Sequence, residues 1–298
     1  MNGPHSVIAL ASMVVMLLVA GCSAEDPLTA EPALSAAPQS IDDVSVTAEL
    51  YRSRTDPARN GMQVSVTNTS AVPLSIVRTE LRSTALAEPI VRDRTSVIAA
   101  GTTRDLAVDL TTPNCPEQLG QAEAPLPTVV LSIALESGEI AQLSLASTDR
   151  MGQWADWHSR ACFAAAVAHS VELTVRRASH RDDAHSGTLG LDLVASRVRD
   201  EVSLEAFDDT VLFALIDAAG ARATSVRLDT ALQPGGSIVI ELTLSPARCD
   251  PHAIAEDKQG TLFIVTLTLH AVEGSTTVAA DDRTRAELYD AFAATCRF

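Results

Sequence analysis

The chain has 298 residues, 46% of them hydrophobic and 20% charged, with a formal net charge of −16; that length suits two domains of ~100–150 residues, and that composition excludes a disordered polar chain. There are 18 acids and 10 bases before residue 168 and 20 and 12 after it, so each half carries −8. No basic stripe is present to neutralise phosphates, which excludes nucleic acid as a partner and disfavours adsorption to anionic lipid by charge.

Val7 to Ala20 are almost all apolar, a run too short for the ~20 residues of a spanning helix and of the length of a secretory h-region. The flanking Met1 to Ser6 hold no Lys or Arg, leaving the α-amino group and His5 as n-region charge. At the end of the run, Leu18-Val19-Ala20-Gly21-Cys22 resembles the lipobox of bacterial lipoproteins. The resemblance implies that residues 1–21 are a signal peptide, that Cys22 is acylated, and that the protein partners the cell membrane through this anchor, on its extracytoplasmic face. Residues 22–40 then read as the acylated Cys and a flexible tether, with Pro27, Pro32 and Pro38 among Ala, Ser and acids and no apolar periodicity.

The rest of the chain repeats itself. Cys115 to Cys162 and Cys249 to Cys296 are both 47 positions apart. At an offset of 134, Gly101 falls on Gly235, Leu106, Val108 and Leu110 on Ile240, Leu242 and Leu244, and Val129, Leu131 and Ile133 on Phe263, Val265 and Leu267. Upstream the offset is 127, placing Met62, Val64 and Val66 on Leu189, Leu191 and Leu193. Two copies of so long a unit indicate a domain duplication, 41–166 and 167–298, rather than a solenoid.

Within each copy, apolar and polar residues alternate with period two, as in Met62-Gln-Val64-Ser-Val66, and turn-rich stretches such as Asn68-Thr-Ser-Ala and Gln233-Pro-Gly-Gly separate the runs. The fold class read from this is mainly β: two tandem immunoglobulin-like antiparallel β-sandwich domains, each ending in a short helix. In the second helix Asp282 is the expected cap, with Ala286, Tyr289, Phe292, Ala293 and Cys296 on one face; the first spans the matching stretch from Asp149 to Cys162. In an exported chain four cysteines should pair, and equal spacing in duplicated copies selects Cys115–Cys162 and Cys249–Cys296 from three connectivities.

The mature chain contains no G-x-S-x-G, S-x-x-K, H-E-x-x-H, P-loop or G-x-G-x-x-G, so no catalytic residues and no cofactor are assigned. Two polar loops of the second copy supply Asp250, His252 and Asp257, and His180, Asp182 and His185, as candidate metal ligands; both also read as ordinary exposed connections. The string from Cys249 to Lys258 resembles one in uncharacterised exported proteins of high-GC Gram-positive bacteria, and implies no site. Trp154, on the helix of the first copy, should pack that helix on its sandwich, since its counterpart is Leu288. The expected function is a non-enzymatic interaction or structural module of the cell envelope, whose partner is an envelope protein or a small ligand. The alternatives are a ligand- or metal-binding lipoprotein using the second copy's loops, and, with no motif behind it, an envelope hydrolase.

Overall fold

Alternating stretches become strands in both copies. The computed structural model describes residues 37–120, 124–183, 186–250, 252 and 260–297. The first copy contains β1 (Val46–Tyr51), β2 (Gly61–Asn68), β3 (Leu74–Arg82), β4 (Ile90–Arg92), β5 (Ser96–Ile98), β6 (Thr103–Asp109), β7 (Thr128–Ala134) and β8 (Ile140–Thr148), and leads into α1 (Gln153–Ser170). The second contains β9 (Glu172–Arg177), β10 (Leu189–Ser196), β11 (Val202–Asp208), β12 (Phe213–Ile216), β13 (Arg222–Ala223), β14 (Ser225–Leu232), β15 (Ile238–Pro246), β16 (Leu262–Leu269) and β17 (Val272–Ala279), then α2 (Asp282–Cys296). The protein is thus mainly β, built of several antiparallel sheets, with two helices delimited among the described residues.

The copies share strand pairings. β1-β2-β6 corresponds to β9-β10-β15, and β3-β7-β8 to β11-β16-β17. In the second copy these belong to two separate sheets, β13-β12-β15-β10-β9 and β14-β11-β16-β17. The first copy departs from the wholly antiparallel expectation. There β1 runs parallel to β8, Ala48 opposite Ser147 and Glu49 opposite Thr148, which joins the halves into one eight-stranded sheet. The physical reason is that two strand edges lie side by side, and each supplies partners for backbone groups the other would leave unpaired.

Each copy buries its own apolar cluster. Leu50, Met62, Val64, Leu106, Val129 and Leu131 belong to the first, and Leu191, Leu193, Leu204, Leu244, Phe263 and Val265 to the second. The register departs from the repeat alignment in one place: Val64 pairs with Leu106, whereas its counterpart Leu191 pairs with Leu242 instead of Ile240. A slip of two residues leaves every side chain on its own face, so alternation cannot reveal it.

The matched glycines do the same work twice. Gly101 and Gly235 both have positive φ, at 71° and 82°, and both donate an N–H across the turn, to Asn68 O at 2.9 Å and to Val198 O at 2.8 Å. Asn68 itself is wholly buried. Its Nδ2 donates to Val72 O and Ile98 O, and its Oδ1 accepts the Ser70 N–H at 2.9 Å. Asn68→Ala strands these groups in the interior and should cost about 2–4 kcal/mol in urea denaturation. A loss below about 1 kcal/mol would show that the turn is held elsewhere.

Both disulfides form as the repeat requires, with Cα atoms 5.4 Å apart for Cys115–Cys162 and 5.2 Å for Cys249–Cys296. The second helix differs in detail from expectation. Asp281, not Asp282, is the cap, its Oδ1 accepting the Thr284 N–H at 2.7 Å. The buried stripe is Thr284, Leu288 and Phe292, and Ala286 is exposed. Burying Leu288 and Phe292 outweighs burying alanine, and those two large side chains set the rotation of the helix. The first helix is longer than expected, running to Ser170 and so through residues 166 and 167.

Candidate functional site: the groove between the copies

Helix α1 begins where the Asp149 carboxylate accepts the N–H groups of Gln153 and Trp154, at 3.0 and 2.8 Å. Residues nine apart on a helix turn through about 900° and point to opposite sides. Trp154 and Phe163 stand in that relation. Trp154 is fully buried in the first copy's cluster together with Trp157, their ring centroids 5.0 Å apart. This is the packing the sequence suggested for Trp154. Phe163 and Val167, on the other side, belong to the second copy's cluster. The Phe163 ring lies so close to β17 that a Cβ on Gly274 would stand 2.8 Å from its Cε1 and Cζ. One helix therefore fills two cores, and it ties both copies into a single compact unit spanning Ala36–Phe298.

Where the copies diverge from α1 they leave a groove of about 310 Å³. Arg52 and Asn60 of the first copy, Trp157 and Arg160 of α1, and Ile264 and Thr276 of the second copy line it. Three contacts fix its walls. Trp157 Nε1 donates to Asn60 Oδ1 at 3.3 Å, the Arg52 N–H donates to Gln153 Oε1 at 2.7 Å, and Arg52 Nε donates to Gly61 O at 3.1 Å. The terminal nitrogens of the half-buried Arg52 meet no acceptor among the described residues. Burial pushes its pKa below the usual guanidinium value, opposed by Asp56 and Asp156 and aided by Arg160. It remains a cation at neutral pH, with the free edge of its guanidinium available to an oxyanion. Arg160 itself is ion-paired one helical turn back, with Asp156 at 2.8 Å.

The candidate metal ligands are placed differently. Asp182 receives Arg177 Nη1 and Nη2 at 2.8 and 2.6 Å and the Gly190 N–H at 3.0 Å. Burial raises its pKa, but those hydrogen bonds outweigh burial and hold it below the usual carboxylate range. His180 is exposed on a short 3-10 turn beside it. Asp250 pairs with Arg248 at 3.0 Å, and His252 is exposed. His185, Asp257 and Cys22, the expected lipidation site, lie outside the described residues. Among the described residues no three His, Cys, Asp or Glu side chains gather as a metal group. The groove at Arg52 escaped sequence reading because segments around residues 52–60, 157–164 and 264–277 form it together; no local motif marks any of them.

No family model matches the chain, and no curated protein matches it. Solved structures with partial similarity include red sea bream transglutaminase, at 11% identity and TM-score 0.21, matched over 80% of this chain and 31% of that one. The BSP domain of a biofilm associated protein matches at 8% identity and TM-score 0.22, over 82% of this chain and 60% of that one. The exo-β-D-glucosaminidase CsxA matches at 14% identity and TM-score 0.18, over 73% and 25%. This chain spans under a third of the transglutaminase, and likenesses of this size carry no argument about activity.

Proposed function

We propose that the protein is a lipid-anchored, non-enzymatic binding module of the cell envelope, two tandem immunoglobulin-like sandwiches held through Cys22, that takes an oxyanion of a small ligand or partner into the groove between its copies. The observation that carries this reading is the free guanidinium edge of Arg52 in a groove whose walls are locked by α1. An arginine fork fits carboxylate or phosphate, and partial desolvation strengthens the contact. The two disulfides support an oxidising, extracytoplasmic setting. The cation-binding alternative gains nothing from the loops, where Asp182 and Asp250 are already paired with arginines.

Calorimetric titration with glucuronate, acetate and inorganic phosphate tests the site. At least one should bind saturably, and Arg52→Ala should weaken it tenfold or more, about 1.4 kcal/mol. Arg54→Ala, an exposed neighbour, should leave it unchanged. No saturable binding by any of the three, or equal losses in the two variants, would overturn the reading.

A further inference from the structure

The two disulfides are alike in sequence spacing but not in surroundings. Cys162 is buried on α1, and its Sγ lies 3.8 Å from Nε2 of the buried His158 one turn earlier. His158 Nε2 is 3.1 Å from Asn114 O. A carbonyl only accepts, so this nitrogen carries a proton, and its N–H stands beside both the carbonyl and the sulfur. In the second copy the position matching His158 is Phe292, fully buried and edge-on to Phe213 at 5.6 Å. That copy therefore has no imidazole at the position matching His158.

Along the first bond Cys162 is buried and Cys115 exposed; in the second Cys249 is exposed as well and Cys296 is half-buried. Cys115 and Cys162 line a second cavity of about 490 Å³ at the junction of the copies, with Leu119, His169 and His270 among its walls. Its charged side chains are Glu117 and Asp200, the latter accepting the Ser170 hydroxyl at 2.6 Å. The cavity wall is unusual in its backbone as well. His270 and Ala271 form the two-residue β16–β17 turn, both with positive φ, at 50° and 61°. Neither is glycine, so this wall is held in a conformation that L side chains adopt at a cost.

We propose that Cys115–Cys162 is an exchange-active disulfide, opened at Cys115 by the thiolate of a small thiol or partner protein, with His158 receiving the leaving thiolate of Cys162, and that Cys249–Cys296, with Phe292 in place of that histidine, exchanges less readily. The incoming thiolate forms a bond to Cys115 Sγ. The Cys115–Cys162 bond breaks, and its electron pair passes to Cys162 Sγ, where the His158 N–H stabilises it. The products are a mixed disulfide on Cys115 and a thiolate on Cys162, with no other oxidant or reductant. A leaving thiolate that accepts a hydrogen bond from a neighbouring N–H is stabilised as it departs. Opening the bond also frees the strap that carries Leu119, which packs against the second copy's core. Exchange at one copy would thus loosen its hold on the other.

The full chain is equilibrated in glutathione buffers of graded poise, alkylated, digested and mapped by mass. Cys115–Cys162 should open at a poise at least tenfold less reducing than Cys249–Cys296, about 30 mV, with glutathione on Cys115 and not on Cys162. His158→Phe, which copies the second domain, should bring the two bonds within tenfold. Opening of both bonds together in the unmodified chain, or glutathione on Cys162, overturns the proposal without recourse to a variant. An unchanged gap in a folded His158→Phe protein removes the histidine's role and overturns it equally.

Discussion

Phe163→Ala is expected to destabilise the second copy by about 3–5 kcal/mol and to part the unfolding of the two copies. The ring is nearly buried, belongs to the second copy's core, and yet is carried on a helix anchored by Trp154 and Trp157 in the first. Truncating it removes apolar contacts from one core and mechanical coupling from both. The protein's two tryptophans lie in the first copy, so indole emission reports that copy alone, whereas far-UV circular dichroism reports the strands of both. In the parent the two denaturation curves should coincide; in the variant the dichroism should begin to fall while the emission holds. Gly274→Ala attacks the same contact from the other side. Its new Cβ would meet ring carbons at 2.8 Å, and displacing a buried ring should cost about 1–3 kcal/mol. Coincident curves in Phe163→Ala would mean that the copies are coupled by something other than α1.

The second large effect belongs to Asp56. Only 1% exposed, it accepts the Ser53 N–H at 2.7 Å, Gln63 Nε2 at 2.8 Å and Arg59 Nη2 at 2.7 Å, and so organises the whole β1–β2 connection. Asp56→Ala leaves a half-buried N–H and a half-buried amide without acceptors, at an expected cost of about 2–3 kcal/mol. Arg59, being partly exposed, recovers much of its loss in water. Burial raises the Asp56 pKa, but the hydrogen bonds from Gln63, Ser53 and Arg59 exceed that effect and hold it below the usual value. A depressed folded pKa means that the ionised carboxylate stabilises the fold above ~3.9 and that this contribution is lost as pH falls through the lower folded value. Asp182 and Asp192 act in the same direction. Asp209, raised by burial and by Asp208, opposes them. The denaturation midpoint should stay level from pH 7 to 5 and drop below about pH 4, with a shallower drop in Asp56→Asn. A midpoint that rises on acidification would contradict the assignment.

Alternation, repeat offset and cysteine spacing were by themselves enough to determine the mainly β class, several of the strands and both disulfide pairings of this protein. Each is periodic or copied, so it can be read without knowing what lies across the core. Val129, Leu131 and Ile133 align with Phe263, Val265 and Leu267, and all six are buried. Trp154, matched with Leu288, likewise had its place decided by an apolar counterpart. Tertiary structure alone decided the rest. The pairing of Leu191 with Leu242 is invisible to a period of two, and the parallel meeting of β1 with β8 depends on which edges come together. The double duty of α1 appears only when two cores stand on opposite sides of one helix, because helical periodicity records a buried face but not whose core buries it. Arg52 was legible only as the start of a loop. Its free guanidinium edge became a feature when Gly61, Gln153 and the second copy closed around it, since a groove is a property of walls distant in the chain.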